Sequence, residues 1–256
     1  MSTWVERSFA LVDEGGYLDR MAEIYPPALP GGRQIAQARL DMVRVALEEP
    51  DDRVLLRTVL QFRRFPFNHP YVSFLRQSPQ EILRNPVVVG VICRRLRDMG
   101  VEGVLDGLQK PKELNRQMGP MFSTWLQRQY PFSPNPDLFQ ASLEAVVFLG
   151  GSGEMLRRFA NNIGCGIQKQ PDFLARVGGR YVVGEAKWVG TGGGNQDRGF
   201  EDALRLASAS FPRAVTVAVL DGIVWVRGRG GQSRRLANFS GNALSALLLA
   251  DFLESL

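Results

Sequence analysis

The sequence predicts an α/β protein with a mostly helical first part and a second part in which helices alternate with short apolar strands. Three observations carry this. Between residues 34 and 63 apolar side chains recur at helical spacing: Ile35, Leu40, Val43, Ala46 and Leu47, then Val54, Leu55, Val59 and Leu60. From Ser152 onward the pattern changes, and apolar runs of strand length, Arg180–Val189 and Ala214–Leu220, appear between helical stretches. A proline-rich connector at residues 131–137, PFSPNPD, separates the two regimes. The expected organisation is a helical region over residues 1–136 and an α/β region over residues 137–256.

Each element has its own local signal. Glu49-Pro50-Asp51-Asp52 divides the first helical stretch in two, because proline ends one helix and aspartate caps the next. FPFNHP at residues 65–70 is a stiff connector. Ser78-Pro79-Gln80-Glu81 reads as a helix start, as does Asn85-Pro86, whose helix runs to Met99 and stops at Gly100. Leu138–Leu149 reads as a helix ending at Gly150-Gly151. Ser152 caps a helix over Glu154–Ile163, and Gly164 ends it. Gly166–Val177 and Arg180–Val189 read as two strands turned at Gly178-Gly179. The loop TGGG leads into a helix over Gln196–Ser208. Ala214–Leu220 and Ile223–Val226 read as a hairpin joined at Asp221-Gly222, and Asn242–Leu253 as a last helix.

Composition narrows the chemistry. A chain of 256 residues with 45% hydrophobic and 22% charged residues can bury a full core as a soluble protein. No run approaches the length of a membrane span. The opening MSTWVERSFALVDEGG carries early acids and no basic-then-apolar leader, so a cytoplasmic location is expected. A net charge of +5 and a pI near 9.5 favour an anionic partner. The single histidine, His69, leaves no histidine-rich metal site, and it reads as a turn residue between Asn68 and Pro70. Cys93 and Cys165 are too far apart in sequence for a thiolate zinc pair of the usual spacing and read as core residues. Hydrolytic chemistry, if present, must run on carboxylates, lysine and an oxygen-bound metal.

Such a set stands in PDFLARVGGRYVVGEAK, residues 171–187. Residues i and i+2 of a strand share a face, so Glu185 and Lys187 project together, and the turn at Gly178-Gly179 folds Asp172 back beside them. Two carboxylates and an ammonium suit a divalent metal and a water poised against a phosphodiester.

Pro171-Asp172 followed by Glu185-Ala186-Lys187 resembles the PD-(D/E)xK nuclease signature in the form seen in type II restriction endonucleases, over roughly residues 150 to 228. The resemblance implies the αβββαβ core of the restriction-endonuclease fold in the C-terminal half, with the helical N-terminal region serving DNA recognition and dimerisation. It implies Mg2+ held by Asp172, Glu185 and the Ala186 carbonyl, with Lys187 positioning or helping to deprotonate the attacking water. A further acid often precedes the motif in this family. Glu154 is the first choice and Glu144 the alternative. A Gly-Gly and a glutamine follow the strand in some of these enzymes, which places Gln196 at the site.

The implied activity is hydrolysis of double-stranded DNA to 5′-phosphate and 3′-hydroxyl ends by a homodimer. Its functional partner is a cognate DNA methyltransferase that forms no stable complex with it. Two clusters carry the side chains that read base edges and hold phosphates: Lys110, Lys112, Asn115, Arg116 and Gln117, and Arg227 and Arg229 with Gln232, Arg234 and Arg235. Arg94, Arg95 and Arg97 suit the polar face of an ordinary helix. Two other readings stand beside this one: a structure-specific repair or junction-resolving nuclease of the same fold, and a non-catalytic DNA-binding protein.

Overall fold

A computed structural model describes residues 1–27, 34–110, 117–190 and 195–256, without the side chains of Asn195 and Gln196. In chain order the helices α1 (Thr3–Asp13) and α2 (Tyr17–Met21) come first, then α3 (Gln37–Glu48), α4 (Asp52–Leu60), α5 (Tyr71–Gln77), α6 (Glu81–Arg84), α7 (Pro86–Asp98), α8 (Gly100–Gln109) and α9 (Met118–Gln129). The α/β part follows: β1 (Phe132–Ser133), α10 (Pro136–Ala141), β2 (Val146–Leu149), α11 (Gly153–Asn162), β3 (Phe173–Val177), β4 (Arg180–Val189), α12 (Asn195–Ala207), β5 (Ala214–Gly222), α13 (Gly230–Ala237), β6 (Ala243–Leu244) and α14 (Leu249–Glu254). Short 3-10 turns occupy Ile223–Trp225 and Ala246–Leu248. The α/β class read from sequence holds.

The chain forms two compact units, residues 29–112 and residues 1–28 together with 113–256. Their limits fall elsewhere than at residues 136 and 137. The reason is burial. Val5 and Phe9 of α1, Met21 of α2, and Phe122 and Leu126 of α9 belong to the same core as the sheet. No element was assigned to residues 3–21 from sequence, although Ser2 is an N-cap there, accepting a hydrogen bond from the Val5 N–H at 3.3 Å.

The helical unit, α3 to α8, has its own core of Val43, Leu55, Leu56, Val59, Ile92, Leu96 and Val104. Its starts and stops follow the sequence signals. Asp51 caps α4 through the Arg53 N–H at 2.8 Å, Pro86 opens α7, and Gly100 takes the left-handed conformation that ends it. Arg97 pairs with Asp52 at 2.6 Å while Arg94 and Arg95 face solvent, as a polar helix face does.

In the other unit the described strands form one sheet in the order β1-β2-β3-β4-β5-β6. The β2–β3 and β3–β4 pairs are antiparallel, and β1–β2, β4–β5 and β5–β6 are parallel. Four assignments from sequence change. Leu138–Leu149 is not one helix: α10 ends at Ala141, and the β-branched and aromatic run Val146-Val147-Phe148-Leu149 pairs as a strand between β1 and β3. The strand expected from Gly166 begins only at Phe173. Upstream, the Asn161 side chain clamps the Ile167 backbone at 2.7 and 3.1 Å, and Pro171 has no N–H to give a ladder. The helix expected over Asn242–Leu253 is a short strand, a 3-10 turn and α14.

The fourth change concerns Asp221-Gly222, which is no hairpin turn. Parallel pairing continues through Trp188↔Asp221 and Val189↔Gly222, and Asp221 is fully buried. Its carboxylate accepts hydrogen bonds from the Tyr17 hydroxyl (3.1 Å), the Tyr25 hydroxyl (3.0 Å), the Ser245 hydroxyl (2.7 Å) and the Ala246 N–H (3.1 Å). Tyr17 in turn accepts from the Gly222 N–H at 3.2 Å. The network ties the N-terminal segment to the end of β5. Arg227 adds to this attachment, pairing with Glu6 at 2.7 Å and Asp13 at 2.9 Å and lying over the Phe9 ring.

Burial pushes the Asp221 carboxyl up to about 6, against the lowering pull of its four donors. Between the ordinary aspartate value and about 6, the folded protein keeps a proton that the unfolded chain releases. The group's stabilising contribution is therefore complete below about pH 4 and is lost as pH rises through about 6. Relative to Asp221→Asn, the wild type is expected to lose roughly 2–3 kcal/mol of unfolding free energy between pH 4 and pH 7. Urea titrations of both proteins at each pH measure this, and parallel profiles would refute it.

Candidate active site

β4 is the strand on which the site is built. It pairs with β3 over its first half and with β5 over its whole length, so its side-chain directions are set from both sides. Glu185 and Lys187 share the parity of Tyr181 and Val183 and leave the strand on the same face. Gly184 precedes them for a steric reason. A Cβ there would lie 2.0 Å from the Phe173 ring, which covers the glycine from the opposite strand and packs against Phe122 and Phe148.

Asp172 is the residue before β3. Its N–H donates to the Gly184 carbonyl at 2.9 Å, and its carboxylate accepts from the Ala186 N–H at 2.9 Å. A strand residue presents its N–H and C=O to the same side. The Ala186 carbonyl therefore faces the β3 side too, beyond the point where β3 begins.

The Lys187 ammonium lies 3.1 Å from Asp172 Oδ2 and 3.1 Å from Glu185 Oε1. Lys187 thus joins the two carboxylates singled out with it in the sequence. Burial alone pulls the Lys187 pKa down, but the Asp172 and Glu185 carboxylates outweigh it and hold the ammonium above the ordinary lysine range. It is a cation at neutral pH. Its stem runs over α12 at Gly199, where an added Cβ would meet it at 3.5 Å.

Two residues not found from sequence complete the cluster. Lys169 donates to Glu185 Oε1 and lies 3.6 Å from Asp202 Oδ2 on α12. Lys169, Glu185 and Asp202 line a cleft of about 370 Å³ together with Ile167, Pro171 and Leu206. The available signals were indirect. Lys169 stands three residues before Asp172, and Asp202 stands one helical turn after Gly199. A glutamate 2% exposed requires more than one donor or cation.

The remaining candidates are placed differently. The carboxylate of Glu154 is taken by Arg157 (2.8 Å) and Arg158 (3.0 Å) of its own helix, and hydrogen bonds from these arginines hold it down at about 2. Glu144 lies in the loop before β2. Lys112, Asn115, Arg116 and the side chain of Gln196 lie outside the described residues. Lys110 is exposed, and Gln117 lies just before α9. Arg227 is engaged with Glu6 and Asp13, whereas Arg229 is exposed at the mouth of a second cleft of about 570 Å³, beside Gln232 and Arg235. His69 accepts from the Tyr71 N–H at 3.4 Å and packs between the Phe67 and Tyr71 rings.

Among the described residues no group of three or more His, Cys, Asp and Glu side chains is gathered for a metal. The donor chemistry of Asp172, Glu185 and the Ala186 carbonyl nonetheless fits Mg2+. That ion takes hard oxygen donors and commonly only one or two protein carboxylates, with water and substrate phosphate filling its octahedron.

The family model for the Tsp45I type II restriction enzyme matches residues 2–256. The chain belongs to the Tsp45I restriction enzyme family. No curated protein and no solved structure matches it. Membership makes the protein a site-specific endonuclease of a restriction-modification system with DNA as its substrate. It sets aside the reading as a non-catalytic DNA-binding protein, and it favours sequence-specific over structure-specific cleavage. No helix among the described residues of this Tsp45I-family chain is long and apolar enough to cross a membrane.

Because Phe173 fills the space over Gly184, Gly184→Ala is expected to cost about 1–3 kcal/mol through overpacking. Gly199→Ala, where the new carbon meets Lys187 at ordinary contact distance, is expected to stay within about 1 kcal/mol of wild type, since alanine favours the helix. Denaturant unfolding of the two variants measures the contrast. Equal behaviour would contradict the packing described.

Proposed function

We propose that Asp172, Glu185 and Lys187 form the cleavage centre of a type II restriction endonuclease of the PD-(D/E)xK superfamily. It hydrolyses phosphodiester bonds of duplex DNA with Mg2+, leaving 5′-phosphate and 3′-hydroxyl ends. The observation that carries the reading is the joint contact of Lys187 with both carboxylates. The antiparallel run β2–β3–β4, followed by α12 and the parallel strand β5, supports an αβββαβ nuclease core.

Asp172, Glu185 and the Ala186 carbonyl would hold Mg2+, which when bound would neutralise charge at the phosphate and make water more acidic. Glu185 is fixed by its strand and by burial, so its oxygens present one geometry. Asp172 is tied to the Ala186 N–H, which sets the distance between the two carboxylates. Lys187 is charged at neutral pH. Its role is to donate hydrogen bonds to the attacking water and to a non-bridging phosphate oxygen, stabilising charge that develops there. As the water oxygen bonds to phosphorus the P–O3′ bond breaks; the water's proton passes to bulk solvent, and the departing 3′ oxygen takes a proton from solvent water. Glu154, bound by two arginines of its own helix, has no part in this set.

The helical unit of residues 29–112, the 110–117 segment and the exposed Arg229 are proposed to supply DNA contacts. A homodimer matches a two-fold target and cuts both strands, and a cognate methyltransferase protects the host sequence.

Digestion of a mapped plasmid tests the activity. Discrete fragments are expected with Mg2+ and none with chelator. Lys187→Ala and Glu185→Gln are expected to lower the cleavage rate at least about a hundredfold, while duplex binding in a mobility-shift assay is retained. Wild-type rates in these variants would reject the assignment.

A further inference from the structure

Glu185 is met by two ammonium groups, and they differ in kind. Lys187 comes from the same strand, is two-thirds buried and also holds Asp172. Lys169 comes from the irregular segment before Pro171, is half exposed, and spans from Glu185 to Asp202 across the cleft wall. Both lysines address the same oxygen, Oε1. Asp202 Oδ2 lies 3.6 Å from the Lys169 ammonium, and Asp202 Oδ1 pairs with Arg205 at 3.1 Å.

We propose that Lys169 occupies the metal's place on Glu185 in the metal-free enzyme, and that Asp202 is the alternative seat to which Lys169 transfers when a divalent cation arrives. The inference rests on the reading of Asp172 and Glu185 as metal ligands. Two ammonium groups already share Glu185 Oε1, and a divalent cation there would add a third and larger positive charge, so the more exposed ammonium, that of Lys169, must give way. A lysine released into water would lose the attraction that held it. Asp202 keeps it within a side-chain rotation of its former partner. The arrangement compensates a buried carboxylate while the metal is absent, and it weakens metal binding by the cost of moving Lys169. Lys169 is therefore a positioning residue acting through Glu185.

The test is direct Mn2+ binding to the full-length protein without DNA, followed by the free-ion electron paramagnetic resonance signal and by calorimetry. Lys169→Met is expected to bind Mn2+ about 10–100-fold more tightly than wild type, the range typical of groups that tune a metal's ligands. Lys169→Arg, which keeps the charge, is expected to bind as weakly as wild type. Asp202→Asn is expected to weaken binding in the wild-type background by more than in the Lys169→Met background, because the second seat matters only when Lys169 is present. Equal affinity of wild type and Lys169→Met would overturn the inference, and so would equal effects of Asp202→Asn in both backgrounds. The Asp172→Ala and Glu185→Ala proteins separate the two levels. If they bind Mn2+ as wild type does, the metal-site reading fails and takes this inference with it. If they do not bind, while Lys169→Met binds no better than wild type, only the role of Lys169 fails.

Discussion

A carboxylate almost wholly out of water must be met by cations or by several hydrogen-bond donors, and Glu185 is such a group. The local structure around β4 can be understood from that requirement. The strand places Glu185 beneath Lys187, and the antiparallel neighbour β3 brings Asp172 to the same ammonium. The segment before Pro171 supplies Lys169 as a second cation. Each of these contacts neutralises charge that the fold has forced inward. The same requirement explains why the site is a cluster of alternating charges instead of an acidic patch.

The adjacent strand β5 meets the same requirement in the opposite way. Asp221 is as deeply buried as Glu185, but its partners are two tyrosine hydroxyls, a serine hydroxyl and a backbone N–H, all neutral and fixed. Neutral donors cannot be exchanged for a metal, and they bind segments distant in sequence into one unit. Cationic partners on flexible stems can be exchanged. One buried carboxylate thereby serves as a structural joint and the other is the proposed metal ligand, and the difference lies in what meets them.

Much of this was legible in the sequence because it is local. The limits of β4, the caps Asp51 and Ser152, and the convergence of Asp172, Glu185 and Lys187 follow from period, turn chemistry and short-range spacing. What was not legible depends on distant partners. Asp221-Gly222 has the composition of a hairpin turn, and only Tyr17 and Tyr25, some two hundred residues away in the chain, make the aspartate a buried one. Val146–Leu149 fits a helical pattern as well as a strand until β1 and β3 flank it. Lys169 and Asp202 meet because a loop and a helix pack on the same strand, which no spacing rule records. Glu154 has the position of a first-turn acid, and two arginines one turn along its helix take its charge.

The most direct measurement is an anomalous-scattering map from crystals of the protein soaked in Mn2+. A single strong peak within coordination distance of the Asp172 and Glu185 carboxylates, with the Lys187 ammonium beside it, is the result predicted. A peak held by other residues, or none at this pair at saturating Mn2+, would contradict the assignment of the cleavage centre.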